Sequence, residues 1–248
     1  MIYIKKGAPS RNVATKIAQV KRNPKWKKIP KTRPLNPALQ SGYGDTLRMY
    51  FEQLPKNEIR ESISKEQHYL CAYCMRPLPN TQSVIIEHWY PLSQARDTAI
   101  DYNNFLGSCN GIYSDGQQVR SCCDGNKAGR CITINPQKKW MMDCIKYESN
   151  GTIYFDAPAG LDEEQRGAID KDINQTLCLN GAESELTLHR KRVLSSCKKQ
   201  LTKLQIQNRC NVANIKKLIQ DIEKQEQYPA YAGVMLFYYK RWLKNHSQ

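Results

Sequence analysis

The residues best placed to do chemistry lie in the middle of the chain. Cys71-Ala72-Tyr73-Cys74 sets two thiols at the spacing that presents a pair of thiolates to one tetrahedral metal ion. The same spacing also suits a dithiol redox pair. Further thiols follow at Cys109 and at the neighbours Cys122 and Cys123. Cys71, Cys74, Cys109 and one of that adjacent pair would complete a four-sulfur zinc site. Five of the ten cysteines fall between positions 71 and 123, and this clustering favours metal over scattered buried thiols. Zinc would hold together a segment too irregular to be stable by packing alone. Cys131, Cys144, Cys178, Cys197 and Cys210 read more simply as small buried hydrophobes.

Glu87-His88 lies between the two halves of that sulfur set and closes the apolar run Val84-Ile85-Ile86. Asp124 and Lys127 follow Cys123. A carboxylate at Glu87 and a second oxygen ligand at Asp124 can hold one hard divalent ion, Mg²⁺ or Mn²⁺. A neutral His88 can take a proton from water and produce the attacking hydroxide. The ion can stabilise the scissile phosphate and the leaving 3′-oxygen. Lys127 stands one helical turn beyond Asp124, so both can face a phosphate. These residue types suit metal-assisted phosphodiester hydrolysis.

At these positions the sequence resembles the HNH endonuclease superfamily, which has a ββα-metal fold. The pattern is carried by Cys71/Cys74, Glu87-His88, Asn104-Phe105 and Cys123-Asp124-Gly125-Asn126-Lys127. The resemblance implies that His88 is the general base. It makes Asn104 the residue that holds the ββα loop and orients His88. It makes Glu87 and Asp124 ligands of the catalytic metal, and Lys127 a phosphate contact. It makes Cys71, Cys74, Cys109 and Cys123 ligands of a structural zinc. The sequence departs from the usual pattern at Glu87, where Asp is more common, and at Asp124, where Asn or His is common. Twelve residues, Asn110 to Ser121, also separate Cys109 from the adjacent cysteines.

Beyond the motif, Met1-Ile2-Tyr3-Ile4-Lys5-Lys6, Gln67–Cys74 and the stretch Leu177–Arg190 are similar to the PtuB family. These are HNH subunits of Septu and retron-associated antiphage defence systems. That resemblance implies a PtuA-like ATPase partner and a nucleic-acid substrate, DNA by default or RNA. In the retron branch it implies a reverse transcriptase with its DNA–RNA hybrid.

The elements that must position these groups give an α+β chain, mainly helical. Residues 1–45 hold Pro9, Pro24, Pro30, Pro34 and Pro37. Because proline lacks an N–H and restrains its predecessor, an extended basic arm is expected there. Lys5, Lys6, Lys21, Arg22, Lys25, Lys27 and Lys28 on that arm are candidates for binding nucleic acid or a partner. Asp45 can cap a helical lead-in, 46–70, with Leu47, Tyr50, Phe51 and Leu54 at helical spacing. The resemblance places the ββα-metal nuclease core in residues 71–135. A β-hairpin linker around Asn150-Gly151 occupies 136–160. Leu186, Val193, Leu194, Cys197, Leu201 and Leu204 begin a helical stripe in 161–248.

Composition frames these readings. The chain has 248 residues, 38 Lys+Arg against 23 Asp+Glu, and a net charge of +15. Residues 1–50 carry 12 basic residues and one acid, and residues 181–248 carry 13 and 5. This favours a polyanionic partner. A mean hydropathy of −0.69 excludes a membrane-embedded chain. No apolar secretory segment opens the sequence, so a cytoplasmic protein with reduced thiols is expected. Two other classes remain: a zinc-stabilised binding module without catalysis, and a thiol redox protein using Cys71/Cys74. The Glu87-His88 pair separates the nuclease from the module, because a binding knuckle needs no base beside a carboxylate.

Overall fold

The computed structural model describes residues 1–115, 118–181 and 184–246, without the side chains of position 41 and positions 113–120. Helices α1 (Arg11–Arg22), α2 (Pro24–Lys28), α3 (Pro37–Glu52) and α4 (Lys56–Glu66) come first. The middle holds β1 (Ile85–His88), α5 (Arg96–Ala99), β2 (Phe105–Ser108), β3 (Ile112–Asp115), β4 (Gln118–Ser121) and α6 (Cys123–Lys127). There follow α7 (Lys139–Asp143), β5 (Ile145–Tyr147), β6 (Ile153–Phe155) and α8 (Glu163–Lys171). The chain ends in α9 (Glu185–Ile206), α10 (Val212–Glu223) and α11 (Ala232–His246). This is an α+β architecture, mostly helical. Among the described residues the strands pair as three separate two-stranded antiparallel sheets, β1–β2, β3–β4 and β5–β6.

The first 45 residues are not an extended arm. They form helices because the prolines stand where a helix tolerates them. Pro24 and Pro37 occupy the first turns of α2 and α3, where the missing N–H would have no partner in any case. Asn23 and Asn36 cap those turns by accepting from Lys25 N–H and Ala38 N–H. Asp45 therefore lies inside α3 and caps nothing. The segment also supplies core residues: Met1, Ile4, Val13, Val20, Trp26 and Tyr43 are all buried. Trp26 meets Tyr50 edge-on, with centroids 5.0 Å apart.

The β1–β2 pair sits at the centre of the functional region. Its register sets Glu87 opposite Leu106 and His88 opposite Phe105. Helix α4 packs on both strands and buries Ile59 and Ile63. Gln67, at the end of α4, bridges to β2: its Nε2 donates to Gly107 O and its Oε1 accepts from Gly107 N. The stretch Asn110–Ser121 contains the β3–β4 pair, of which positions 116–117 lie outside the described residues.

The expected hairpin over 144–155 is β5–β6. Gly151 in its loop has φ +93°, a region that β-carbon sterics deny to most residues. Helix α9 fastens this hairpin through Arg190, which is almost fully buried. Its Nε donates to Gly151 O and its Nη2 to Leu179 O, each at 2.6 Å. Helices α9 and α10 both pack on α11. No described helix is long and apolar enough to cross a membrane.

Candidate metal centre and adjoining cleft

The cysteine cluster is built by a tight knuckle, a strand end and a returning helix. In the knuckle, Cys71 N–H donates to Arg76 O and Met75 N–H to Cys71 O. Met75 takes a left-handed φ of +63° to close the turn. Ala72 N–H donates to Gly107 O, which docks the knuckle on β2. Cys109 follows the end of β2, and Cys123 opens α6. Gly111 brings the second half back. Its φ is +70°, and Cys122 N–H donates to its carbonyl at 2.6 Å. A β-carbon there would press into the Cys122 carbonyl and the Gly125 backbone.

The thiols of Cys71, Cys74, Cys109 and Cys123 all lie within 4.8 Å of one another and are buried. Cys71 Sγ is 3.8 Å from Cys123 Sγ, and Cys74 Sγ is 3.7 Å from Cys109 Sγ. A tetrahedral zinc with bonds of about 2.3 Å would space its sulfurs by about 3.8 Å. The donors therefore fit such an ion in kind, number and spacing. The choice between Cys122 and Cys123 falls on Cys123. Cys122 instead receives Arg76 Nη2 at 3.4 Å, and the same nitrogen reaches Cys109 Sγ at 3.2 Å. Burial alone would lower the Arg76 pKa, but the sulfurs of Cys74 and Cys109 outweigh it and hold the guanidinium above its ordinary value. That positive charge offsets part of the excess negative charge of four thiolates around a divalent ion.

His68 takes no part in the cluster; its ring stacks on Tyr228 at 3.7 Å. Of the cysteines expected to be buried hydrophobes, Cys197 is buried, Cys144, Cys178 and Cys210 are half-buried, and Cys131 is exposed.

Helix α6 runs from the sulfur cluster to a second group of polar residues at the far end of β1. Glu87 and His88 are both buried. His88 Nε2 lies 3.0 Å from Ala99 O. A carbonyl can only accept, so Nε2 carries the proton and Nδ1 presents its lone pair. The ring is wedged between Phe51 and Phe105, with centroids at 4.6 and 5.0 Å. Burial, helped by the nearby charges of Lys127, Arg48 and Lys56, pushes the His88 pKa down to about 4. The imidazole is thus neutral at neutral pH. Burial and the nearby Asp124 carboxylate raise the Glu87 carboxyl to about 8, against the opposing pull of Lys127. Glu87 and Asp124 line the same cleft. Among the described residues, however, the four cysteines are the one set of three or more His, Cys, Asp or Glu donors close enough to hold an ion.

Asn104 closes the loop after β1. Its Nδ2 donates to Tyr90 O and Thr98 O, and its Oδ1 accepts from Tyr90 N–H, at 2.8, 2.9 and 2.8 Å. It touches the loop rather than the His88 ring, and the loop in turn supplies the Ala99 carbonyl.

Two expected placements are corrected. Lys127, expected as a phosphate contact, is engaged inside the protein. Its Nζ lies 2.6 Å from Glu87 Oε1 and donates to His88 O at 2.9 Å, with 1 % of the side chain exposed. Burying an ammonium is costly without a counter-charge, and Glu87 supplies it. Lys6 is likewise turned inward, paired with Glu66 Oε2 at 2.6 Å and donating to Phe105 O. It is not an exposed contact residue, whereas Lys5, Lys21, Arg22, Lys25, Lys27 and Lys28 are exposed.

Glu87, His88, Asp124 and Lys127 border a cleft of about 460 Å³, together with Asp45, Arg48 and Arg33. The last three were not singled out for the site in the sequence. Nothing local marks them, because long-range packing brings them there. A larger cavity of about 700 Å³ lies between the β5–β6 hairpin and α11 and contains none of the cysteines, Glu87, His88 or Asp124. No protein-family model and no curated protein matches the chain.

Proposed function

We propose that the chain is a metal-dependent nuclease of the HNH type that hydrolyses nucleic-acid phosphodiester bonds. One observation carries the reading: His88, its Nε2 tied to Ala99 O and its Nδ1 left as a base, lines one cleft with Glu87 and Asp124. A binding module has no use for that arrangement. Glu87 and Asp124 would hold Mg²⁺ or Mn²⁺, which when bound stabilises charge on the phosphate and the leaving oxygen. His88 Nδ1 accepts the proton of the attacking water. Phe51 and Phe105 fix the ring plane, and Asn104 fixes the loop that holds Nε2. The four cysteines carry a structural zinc that anchors α6, and with it Asp124.

In this reading the chain is the effector subunit of an antiphage defence complex of Septu or retron type. A PtuA-like ATPase would be its partner, joined in the retron branch by a reverse transcriptase and its DNA–RNA hybrid. The exposed lysines of α1 and α2, with Arg22 and Lys5, are available to that partner or to nucleic acid.

A second reading, a zinc-stabilised module without catalysis, is favoured by the Lys127–Glu87 ion pair, which places an ammonium on a carboxylate that a metal would need. Incubating the chain, alone and with its partner, with labelled duplex DNA, single-stranded DNA and RNA in Mg²⁺ or Mn²⁺ separates the two. Cleavage that disappears in His88→Ala, with zinc content intact, supports the nuclease. Binding without cleavage on every substrate favours the module.

A further inference from the structure

We infer that Arg48 and Arg33 form the phosphate clamp of this cleft, gripping the nucleic-acid backbone on either side of the bond presented to His88. The inference rests on the nuclease reading for its substrate, but its evidence is separate.

Four cations close to the site have their charge consumed internally. Lys127 is paired with Glu87 and Lys6 with Glu66. Lys56 is paired with Glu52 and lies over the Phe51 ring at 3.6 Å. Arg96 is held by Asp97 and by the carbonyls of Lys27 and Ile29. Arg48 and Arg33 differ. Both line the cleft and both are exposed. Neither guanidinium has an ion-pair or hydrogen-bond partner among the described residues.

Their positions are fixed by rigid elements. Arg48 lies three residues before Phe51 on α3, so the two share a helix face. Phe51 is in edge contact with the His88 ring, which puts Arg48 over the mouth of the cleft on the same side. The charge of Arg48 is felt at His88. Arg33 is placed from a second direction. Thr32 bridges to Ala95, Arg33 N–H donates to Gln94 O, and Arg96 N–H donates to Lys31 O. This short ladder fastens residues 31–33 to the loop between β1 and α5.

Two free guanidiniums on fixed backbones, at a cleft walled by Glu87 and Asp124, suit a polyanion that brings its own phosphates. A guanidinium presents paired donors that match phosphate oxygens, and it stays charged at every physiological pH. Such contacts position a strand without reading its bases, so the clamp fits a phosphodiester backbone of any sequence.

The test measures binding and cleavage of a fluorescent 20-nucleotide duplex and of its single strand across salt concentrations. Variants are Arg33→Ala, Arg48→Ala, the double variant, Arg48→Lys, and Lys65→Ala on the outside of α4 as control. Binding is read in the His88→Ala background, so that substrate is not consumed. Circular dichroism and metal content show that each variant is folded. Each arginine removed should weaken binding roughly 10- to 100-fold. It should also flatten the slope of log affinity against log salt by about 0.7–0.9. Arg48→Lys should keep the slope and lose part of the affinity. Cleavage by wild type that is unchanged in the double variant, with an unchanged slope, overturns the clamp and leaves the nuclease standing. Binding that depends on both arginines supports the clamp whether or not wild type cleaves these strands. Salt-dependent binding that ignores both arginines overturns the clamp.

Discussion

The Lys127 ammonium lies 2.6 Å from Glu87 Oε1, with 1 % and 6 % of the two side chains exposed. The contact joins helix α6 to strand β1, and the bond from the same nitrogen to His88 O makes a second tie between them. Removing one partner of a buried ion pair leaves the other charge without compensation. Lys127→Met is expected to cost about 3–5 kcal/mol in urea denaturation at pH above 8, where Glu87 is ionised, and less at pH 7, where its carboxyl can take up a proton. Adding Glu87→Gln should recover part of that loss, since it removes the stranded carboxylate. A single variant within error of wild type would show that the pair contributes little.

The sulfur cluster predicts a stoichiometry. Purified protein should contain about one zinc per chain by elemental analysis. Cys74→Ser, or strong chelation, should remove it and lower the melting temperature. A chain that stays folded and melts unchanged without metal would be incompatible with a structural ion at these four thiols.

Asn104 closes the loop with three side-chain hydrogen bonds, and Asn104→Asp loses both donors while keeping an acceptor. Asn104→Ala should destabilise the protein by about 1–3 kcal/mol. Hydrogen exchange should become faster at Tyr90 N–H, which Asn104 Oδ1 protects. On the nuclease reading, cleavage should fall more than stability alone explains, because the Ala99 carbonyl that holds His88 Nε2 is carried on the same loop. Unchanged exchange at Tyr90 would contradict this.

Arg190 satisfies the carbonyls of Gly151 and Leu179 from a buried position. Arg190→Leu should cost about 3 kcal/mol or more, because both acceptors lose their donor in the interior. Chemical denaturation measures it. Cysteine-cluster metal content should be unaffected in the folded fraction, since none of these groups contacts a sulfur ligand.

Much of this organisation was readable in the residues themselves. The cysteine spacing carried the sulfur set, since a CxxC and two later thiols have few other ways to be arranged. Asn150-Gly151 between alternating apolar residues carried the β5–β6 hairpin, and the leucine stripe carried α9. The N-terminal helices were missed because proline was read as a breaker, although Pro24 and Pro37 each follow an asparagine able to cap. The inward turn of Lys127 and Lys6 was hidden because their partners, Glu87 and Glu66, lie 40 and 60 positions away. Arg33 and Arg48 were hidden for the same reason: a cleft wall made by tertiary packing leaves no local signature.

Helix α6 has Cys123 at one end and Lys127 at the other. A five-residue helix therefore joins the thiol cluster to the cleft that, on the nuclease reading, would work on phosphate. Loss of the ion that the thiols hold would release the end of the helix next to Asp124, while Lys127 keeps the other end tied to β1.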